Sequence, residues 1–429
     1  MSQLNVLCIS PRFAPSNEAD THRLRLLLGH AESAGWRPVV VAVEADCLEV
    51  AQDAWLLSSL PNNIEVFRVR VPNKRFGLAS VFVRAWQGVD RQVRALLAAR
   101  SFDLVFFSTN EFPLAYLAIG WKRDFGVRFS IDYQDPWVND YYRQHPWRKP
   151  PGGRLKFAVM DRINRVLERG VVRHCSGFLT VSQAYLDTLV RRYGDMVGGK
   201  PMLVRPFPAE PGELMSLRAE TVTAVAGKNA VWRYIGRGGG DMAKAASAFF
   251  QAWHSALKAG YLSLEAARME LIGTSYATSG SARKTFEPLV ADTPLASQVS
   301  ENPERLGYSE ALSRLLSSDA LVVFGSDDPA YTASKIYPYL LARKPLLAIF
   351  HENSSVVKLL SEVGGSVCVS FNEETSPEAL AAAIEKAWFS PGMFRKTIPM
   401  NNAAFEPYTA KVQARELGEW FNTILALAE

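Results

Sequence analysis

The sequence predicts an α/β protein built from two doubly wound domains, each a parallel sheet covered by helices on both faces. Three observations predict it. Apolar runs of strand length alternate with segments of helical period, in strict β-then-α order. The alternation breaks once, between Pro206 and Asn229, in a stretch that begins PFPAEPGE, and then restarts. The chain has 429 residues, too many for one ordinary domain and suited to two of roughly 200.

In the first half, Asn5 to Ser10 is a buried strand. The loop PRFAPSNEADTH leads to a helix from Arg23 to Ala34, stopped by Gly35. Strands follow at Pro38–Val43 and Glu65–Val71, then a helix at Gln92–Ala99. Asp103–Ser108 is a strand, Pro113–Phe125 a helix and Val127–Asp132 a strand. A long amphipathic helix spans Leu155–His174, before strand Gly177–Val181 and helix Gln183–Tyr193. Pro201–Pro208 is the last strand of this half.

The second half opens with strand Ala230–Ile235 and helix Lys244–Ala259. Strand Arg268–Ile272, helix Ser309–Ser317 and strand Ala320–Phe324 follow. A helix opening near Thr332 to Ser334 runs to a turn at Arg343-Lys344-Pro345 and strand Leu346–Ile349. Helix Val356–Val363, strand Ser366–Ser370 and helix Pro377–Trp388 complete the pattern. A final helix, Ala410–Leu427, is placed to pack back across the first domain. The expected divisions are 1–206, 229–404 and a closing helix within 405–429.

Charge is mild: 48 basic against 43 acidic residues, net +5. That is too mild to argue for nucleic acid, and none is expected as a partner; it permits an anionic substrate or an anionic lipid surface. Cys8, Cys47, Cys175 and Cys368 form no metal-spaced cluster, and Cys8, Cys175 and Cys368 lie in or beside apolar runs. Buried free thiols in a reducing cytosol are expected, with no metal. The N-terminus enters a strand directly, without a secretion signal, and no apolar run is long enough to span a membrane.

Doubly wound sheets bind ligands at the carboxyl ends of their strands. After Ile235 comes Gly236-Arg237-Gly238-Gly239-Gly240-Asp241-Met242-Ala243-Lys244. Glycines allow close backbone approach, and Arg237 and Lys244 neutralise phosphate oxygens. The segment is neither a dinucleotide fingerprint nor a P-loop, because Asp241 stands where the first needs glycine and no Gly-Lys-Ser/Thr follows. The helix start at Thr332, Ala333, Ser334 and Lys335 is a second anion site in the same half, with unpaired N–H groups, a hydroxyl and a positive charge. Two anion sites point to a diphosphate, as in a sugar nucleotide. Gly273, Thr274, Leu306 and Tyr308 flank a nucleobase or are ordinary loop residues.

The first-half loop carries Arg12, Phe13, Glu18, Asp20 and His22, and Asn110 and Glu111 follow Ser108. At the carboxyl ends of strands, they are candidates for positioning a ligand hydroxyl. His22 reads equally as a surface residue at a helix start. In DYQDPW, Asp132 reads as a structural loop residue and Asp135 as a catalytic carboxylate that positions or accepts a sugar hydroxyl. The segment from Tyr141 to Phe157 mixes aromatic and basic residues and is either a bilayer contact or an exposed loop. Asp327-Asp328 reads as a solvated loop.

YIGRGGGDMAK, LSSDALVVFGSDDPAYTASKIYPYLLARKPLLAI, DYQDPW and the closing helix after FEPYTA together resemble the GT-B glycosyltransferases, and among them the retaining glycosyltransferase family 4. The resemblance covers essentially the whole chain. It implies two Rossmann-like domains facing across a cleft and a cytoplasmic enzyme, free or peripheral at the inner face of the membrane. It implies no cofactor and no metal, with a nucleoside-diphosphate sugar as donor. Arg237, Lys244 and the N–H groups of Ala333 and Ser334 would hold the pyrophosphate. The acceptor, a small molecule, glycan or lipid-linked sugar, would meet Arg12, Asn110 and Asp135. Transfer would proceed with retention, by front-face attack, within bacterial surface-polysaccharide or glycoconjugate assembly. One departure stands out: the family's paired glutamates fall here on Ala330 and Pro338. That departure keeps open a non-catalytic GT-B partner or scaffold. A nucleotide-sugar epimerase is a third reading.

Overall fold

The computed structural model describes residues 3–72, 80–144, 150, 153–220, 230–260, 267–275, 281–329, 331 and 333–427. Thr332 and Ala330 lie outside the described residues, as does part of the Tyr141–Phe157 segment. The chain divides into two compact units, Met1–Pro208 with Ala410–Glu429, and Ala209–Thr409.

The first unit holds seven strands: β1 Leu4–Ile9, β2 Trp36–Val43, β3 Glu65–Val69, β4 Leu104–Ser108, β5 Arg128–Tyr133, β6 Gly177–Thr180 and β7 Met202–Val204. They pair in the order β3-β2-β1-β4-β5-β6-β7, and every pairing is parallel. All five residues of β4, LVFFS, are buried, as a strand covered on both faces must be. The second unit holds β8 Val231–Ile235, β9 Arg268–Ile272, β10 Val299–Asn302, β11 Ala320–Phe324, β12 Leu346–His351 and β13 Val367–Phe371. Their order is β10-β9-β8-β11-β12-β13, again all parallel. Strand order reverses between β1 and β4, and between β8 and β11. Those two switch points are where a doubly wound sheet opens a crevice for a ligand.

The closing helix, Ala410–Ala426, packs on the first unit. The Trp36 indole donates to the Ala414 carbonyl at 3.1 Å, and Phe421 meets the Trp36 ring edge-on. Arg128 caps the helix's last turn, donating to the carbonyls of Ile424 and Leu425 at 2.7 and 2.8 Å. Trp420, Phe421 and Ile424 are buried, and each such side chain stabilises by about 1.5–3 kcal/mol.

Several elements depart from expectation. The first helix runs Ala19–Leu28, and the third spans Val81–Ala99 rather than its second half alone. The Pro/Glu/Gly stretch contains a helix, Pro211–Glu220, because Pro is well suited to a helix's first position. β10 has a polar sequence, VSEN, and apolar patterning does not mark it. The helix expected from Thr332 begins at Ile336 and ends at Ala342; Ser334 and Lys335 form a turn before it. Cys368 is exposed, because the outer face of edge strand β13 turns it away while Val369 and Phe371 point inward.

Candidate functional site

In the second unit the loops after β8 and β11 come together. Gly236 donates to the Ile272 carbonyl at 2.9 Å with φ +136°, a conformation that favours glycine. A Cβ there would stand 3.1 Å from the Lys335 Cδ. Lys335 donates its ammonium to the Tyr234 hydroxyl, and to the Arg237 carbonyl at 3.4 Å. Lys335 is half-buried, with its ammonium 4.4 Å from the Tyr234 ring centroid. Desolvation first, and the Arg237 charge second, push that ammonium down to about 7. Tyr339 locks this arrangement by donating to the Ile235 carbonyl at 2.9 Å.

Arg237 forms a bidentate pair with Asp241, at 3.0 and 2.7 Å, and its guanidinium lies 5.2 Å from the Tyr331 ring centroid. Burial opposes ionisation of Asp241, but Arg237 and the Ser326 hydroxyl hold its carboxyl below the usual range. Asp241 also ties the two loops, its carbonyl accepting from the Asp327 N–H at 2.8 Å. Asp327 and Asp328 thus belong to a hydrogen-bonded loop beside the site. A Cβ at Gly239 would lie 2.3 Å from Asp241 Oδ1 and 2.9 Å from Arg237 Nη1, so a side chain there would displace this ion pair. The N–H groups of Ala333 and Ser334 donate to no described residue. The site therefore holds two cationic groups close together, one short of counter-charge, with unused N–H donors in the turn before the helix.

Lys244 is placed differently. It donates to the Asn372 carbonyl at 2.7 Å, at the end of β13. It is Lys335, not Lys244, that touches the Arg237 backbone. Thr274 is buried and bonded to Glu301, whose carboxylate also accepts from the N–H groups of Thr285, Phe286 and Glu287. Gly238 donates to the Thr274 carbonyl at 2.8 Å, and Gly273 to Asn302 at 2.9 Å with φ +70°. Tyr308 donates to Glu213 at 2.9 Å, and Leu306 is half-buried two residues before it.

In the first unit the loops after β1 and β4 build a second cluster. Arg12 is ion-paired with Glu111, which also accepts from the Phe82 N–H at 3.0 Å. Asp20 is buried beside them, accepting from the Thr109 hydroxyl at 3.4 Å and the Asn110 N–H at 3.2 Å. Among the described residues its Oδ1 has no partner, nor has Asn110 Oδ1 or Arg12 Nε. Burial raises the Asp20 carboxyl to about 6, with Arg12 pulling down against it. Sequence reasoning placed Asp20 in this loop without a role; only its orphaned oxygen distinguishes it from the acids around it.

Phe13 is fully buried and serves packing. His22 is held on both nitrogens, by Asn17 at 3.1 Å and Arg25 at 3.3 Å. After β5 the two acids part. Asp132 is buried in an ion pair with Arg23 at 3.1 Å, and Arg23 also donates to the carbonyls of Pro206 and Arg205 at 2.6 and 2.8 Å. Asp135 is exposed at the loop tip, and desolvation raises its carboxyl. Among the described residues no three His, Cys, Asp or Glu side chains gather as a metal site, and no helix is long and apolar enough to cross a membrane.

Among solved structures the fold is shared along the whole chain. Sucrose-phosphate synthase from Thermosynechococcus elongatus superposes with a TM-score of 0.59 at 13% identity, covering 99% of this chain and 96% of that one. Anabaena HepE in complex with UDP-glucose gives 0.57 at 14%, covering 99% and 100%. The UDP-GlcNAc 2-epimerase of Methanocaldococcus jannaschii gives 0.54 at 12%, covering 98% and 100%. The two-sheet α/β architecture is thus that of the GT-B glycosyltransferases. No family model and no curated protein sequence matches the chain.

Proposed function

We propose that the chain is a glycosyltransferase that takes its sugar from a nucleoside-diphosphate donor. The observation that carries this reading is the Lys335 ammonium beside Arg237 at the β8/β11 switch point. Asp241 already answers the Arg237 guanidinium, so Lys335 is the cation with no carboxylate bonded to it among the described residues, and a diphosphate supplies its anion. Arg237, Lys335 and the Ala333 and Ser334 N–H groups bind it, and Lys244 lies farther out on the same sheet edge. As the bond from the anomeric carbon to the diphosphate breaks, charge grows on the leaving oxygen. The same fixed cations stabilise it there. Gly273, Thr274, Leu306 and Tyr308 surround the base end. UDP and UDP-glucose in complexes of HepE, a structure of the same fold, support a nucleotide-sugar donor.

The acceptor side belongs to the first unit. Arg12, Asn110 and Glu111 orient an acceptor hydroxyl, Asp20 accepts a hydrogen bond on its orphaned oxygen, and exposed Asp135 engages the sugar. Retention, independence of metal, and a place in surface-polysaccharide or glycoconjugate assembly complete the proposal. Calorimetric titration with nucleoside diphosphates, followed by donor hydrolysis, tests it. Saturable binding with turnover supports it, and absence of binding refutes it.

One observation favours a second reading, a non-catalytic relative. Pro338 stands inside the helix Ile336–Ala342 where the resembled family places a ribose-binding glutamate. Binding without turnover of any donor selects that reading.

A further inference from the structure

We infer that the outer face of the helix Arg154–His174 docks on an anionic lipid bilayer. This rests on different observations from the sugar-transfer reading and stands apart from it. The helix has 21 residues and two unlike faces. Inward, its only acids are buried and neutralised. Asp161 accepts from Arg143 and from Arg165 Nε at 3.0 Å; Glu168 accepts from Arg192 at 2.9 Å and from the Tyr193 hydroxyl. Outward, Leu155, Val159, Ile163 and Val166 are 81%, 52%, 43% and 63% exposed. Their spacing of four, four and three residues puts them in one stripe. No other element among the described residues exposes so many large apolar side chains.

The exposed charged residues of this helix are all cations. Lys156, Arg162, Arg169 and Arg173 are exposed and carry no ion pair among the described residues. Tyr116, 38% exposed, adjoins the helix at Gly170, where a Cβ would stand 2.8 Å from the ring. An apolar stripe, exposed cations and a rim tyrosine are the features of a helix lying in the headgroup region. An apolar protein partner would not require the cations, and an acidic one would not require the stripe. The helix also supports the acceptor-side loops, since its Asn164 accepts from the Trp137 indole at 3.3 Å, two residues beyond Asp135. Docking here would bring those loops to a lipid surface.

Flotation of the full chain with vesicles tests the inference. Phosphatidylcholine vesicles are compared with vesicles of equal parts phosphatidylcholine and phosphatidylglycerol, at low and high salt. The wild type is expected to float with the anionic vesicles only, and less at high salt. Arg162→Gln with Arg169→Gln lowers partition about fivefold per arginine, the Boltzmann factor of ~1 kcal/mol each. Val159→Ser with Val166→Ser lowers it at least about tenfold. The far-ultraviolet circular dichroism spectrum and the thermal midpoint stay unchanged in both pairs, which shows they fold. The inference is overturned if the wild type ignores anionic vesicles or if both variant pairs float like it. A wild-type dimer that these substitutions dissociate would also overturn it, assigning the stripe to a second copy.

Discussion

The Lys335 ammonium donates to the Arg237 carbonyl at 3.4 Å, so the loops after β8 and β11 meet through two cationic residues. Asp241 answers the Arg237 guanidinium, but no carboxylate within the described residues is bonded to Lys335. The imbalance is local and electrostatic, and it has consequences at neutral pH.

Binding of a nucleoside diphosphate should draw in a proton. In the free protein Lys335 titrates at about 7, lowered by desolvation and by Arg237. The ligand favours the charged ammonium, so affinity is complete below pH 7 and declines as pH rises above it. Calorimetry in buffers of different ionisation enthalpy should show almost no uptake near pH 6 and a growing uptake towards about pH 8.5. Lys335→Met should abolish the uptake and weaken binding; uptake that persists would assign the proton to another group.

Asp20 gives a stability signature of opposite form. Its folded carboxyl is raised from 3.8 to about 6 by burial. The folded state therefore holds its proton more tightly, and Asp20 costs stability progressively as pH rises between those values. Relative to wild type, Asp20→Asn should become more favourable by about 2 kcal/mol between pH 4 and pH 6.5. Urea unfolding of both proteins at the two pH values checks it. A constant difference would mean that Asp20 is not held protonated.

Gly418 lies where a Cβ would stand 2.6 Å from the Ala34 carbonyl oxygen. Backbone cannot yield as a side chain does, so Gly418→Ala should lift the closing helix and destabilise the first unit by about 1–3 kcal/mol. Chemical denaturation measures it, and an unchanged midpoint would mean the helix sits looser than described.

Asp135→Asn should lower turnover more than donor affinity, because this carboxylate belongs to the first unit and the Arg237 loop to the second. Equal losses in turnover and donor affinity would remove it from the acceptor side.

Strands were the most legible part of the sequence, because parallel strands buried on both faces are continuous apolar runs; LVFFS and ALVVF name themselves. β10 was illegible because VSEN has no such run. Helix starts shifted where capping was weak: Ser182 and Ser376 cap the helices beginning at Gln183 and Pro377, read correctly, whereas Glu18 makes no side-chain cap and its helix was misplaced. The glycine-rich loop around Arg237 was visible as composition. The orientation of each lysine was not, because Lys244 and Lys335 have equal claim in one dimension. Only tertiary packing turns one to Asn372 and the other to Arg237. Asp20 was hidden for the same reason, since an orphaned oxygen is a property of surroundings and leaves no mark in the chain.

The central claim is that Arg237 and Lys335 grip a diphosphate. Calorimetric titration of UDP, or another nucleoside diphosphate, into wild type and Arg237→Ala tests it most directly. Saturable binding is expected, weaker by about 1.5–3 kcal/mol in the variant, the worth of a charge-assisted hydrogen bond. An unchanged dissociation constant, or no heat of binding in the wild type with any nucleoside diphosphate, would contradict it.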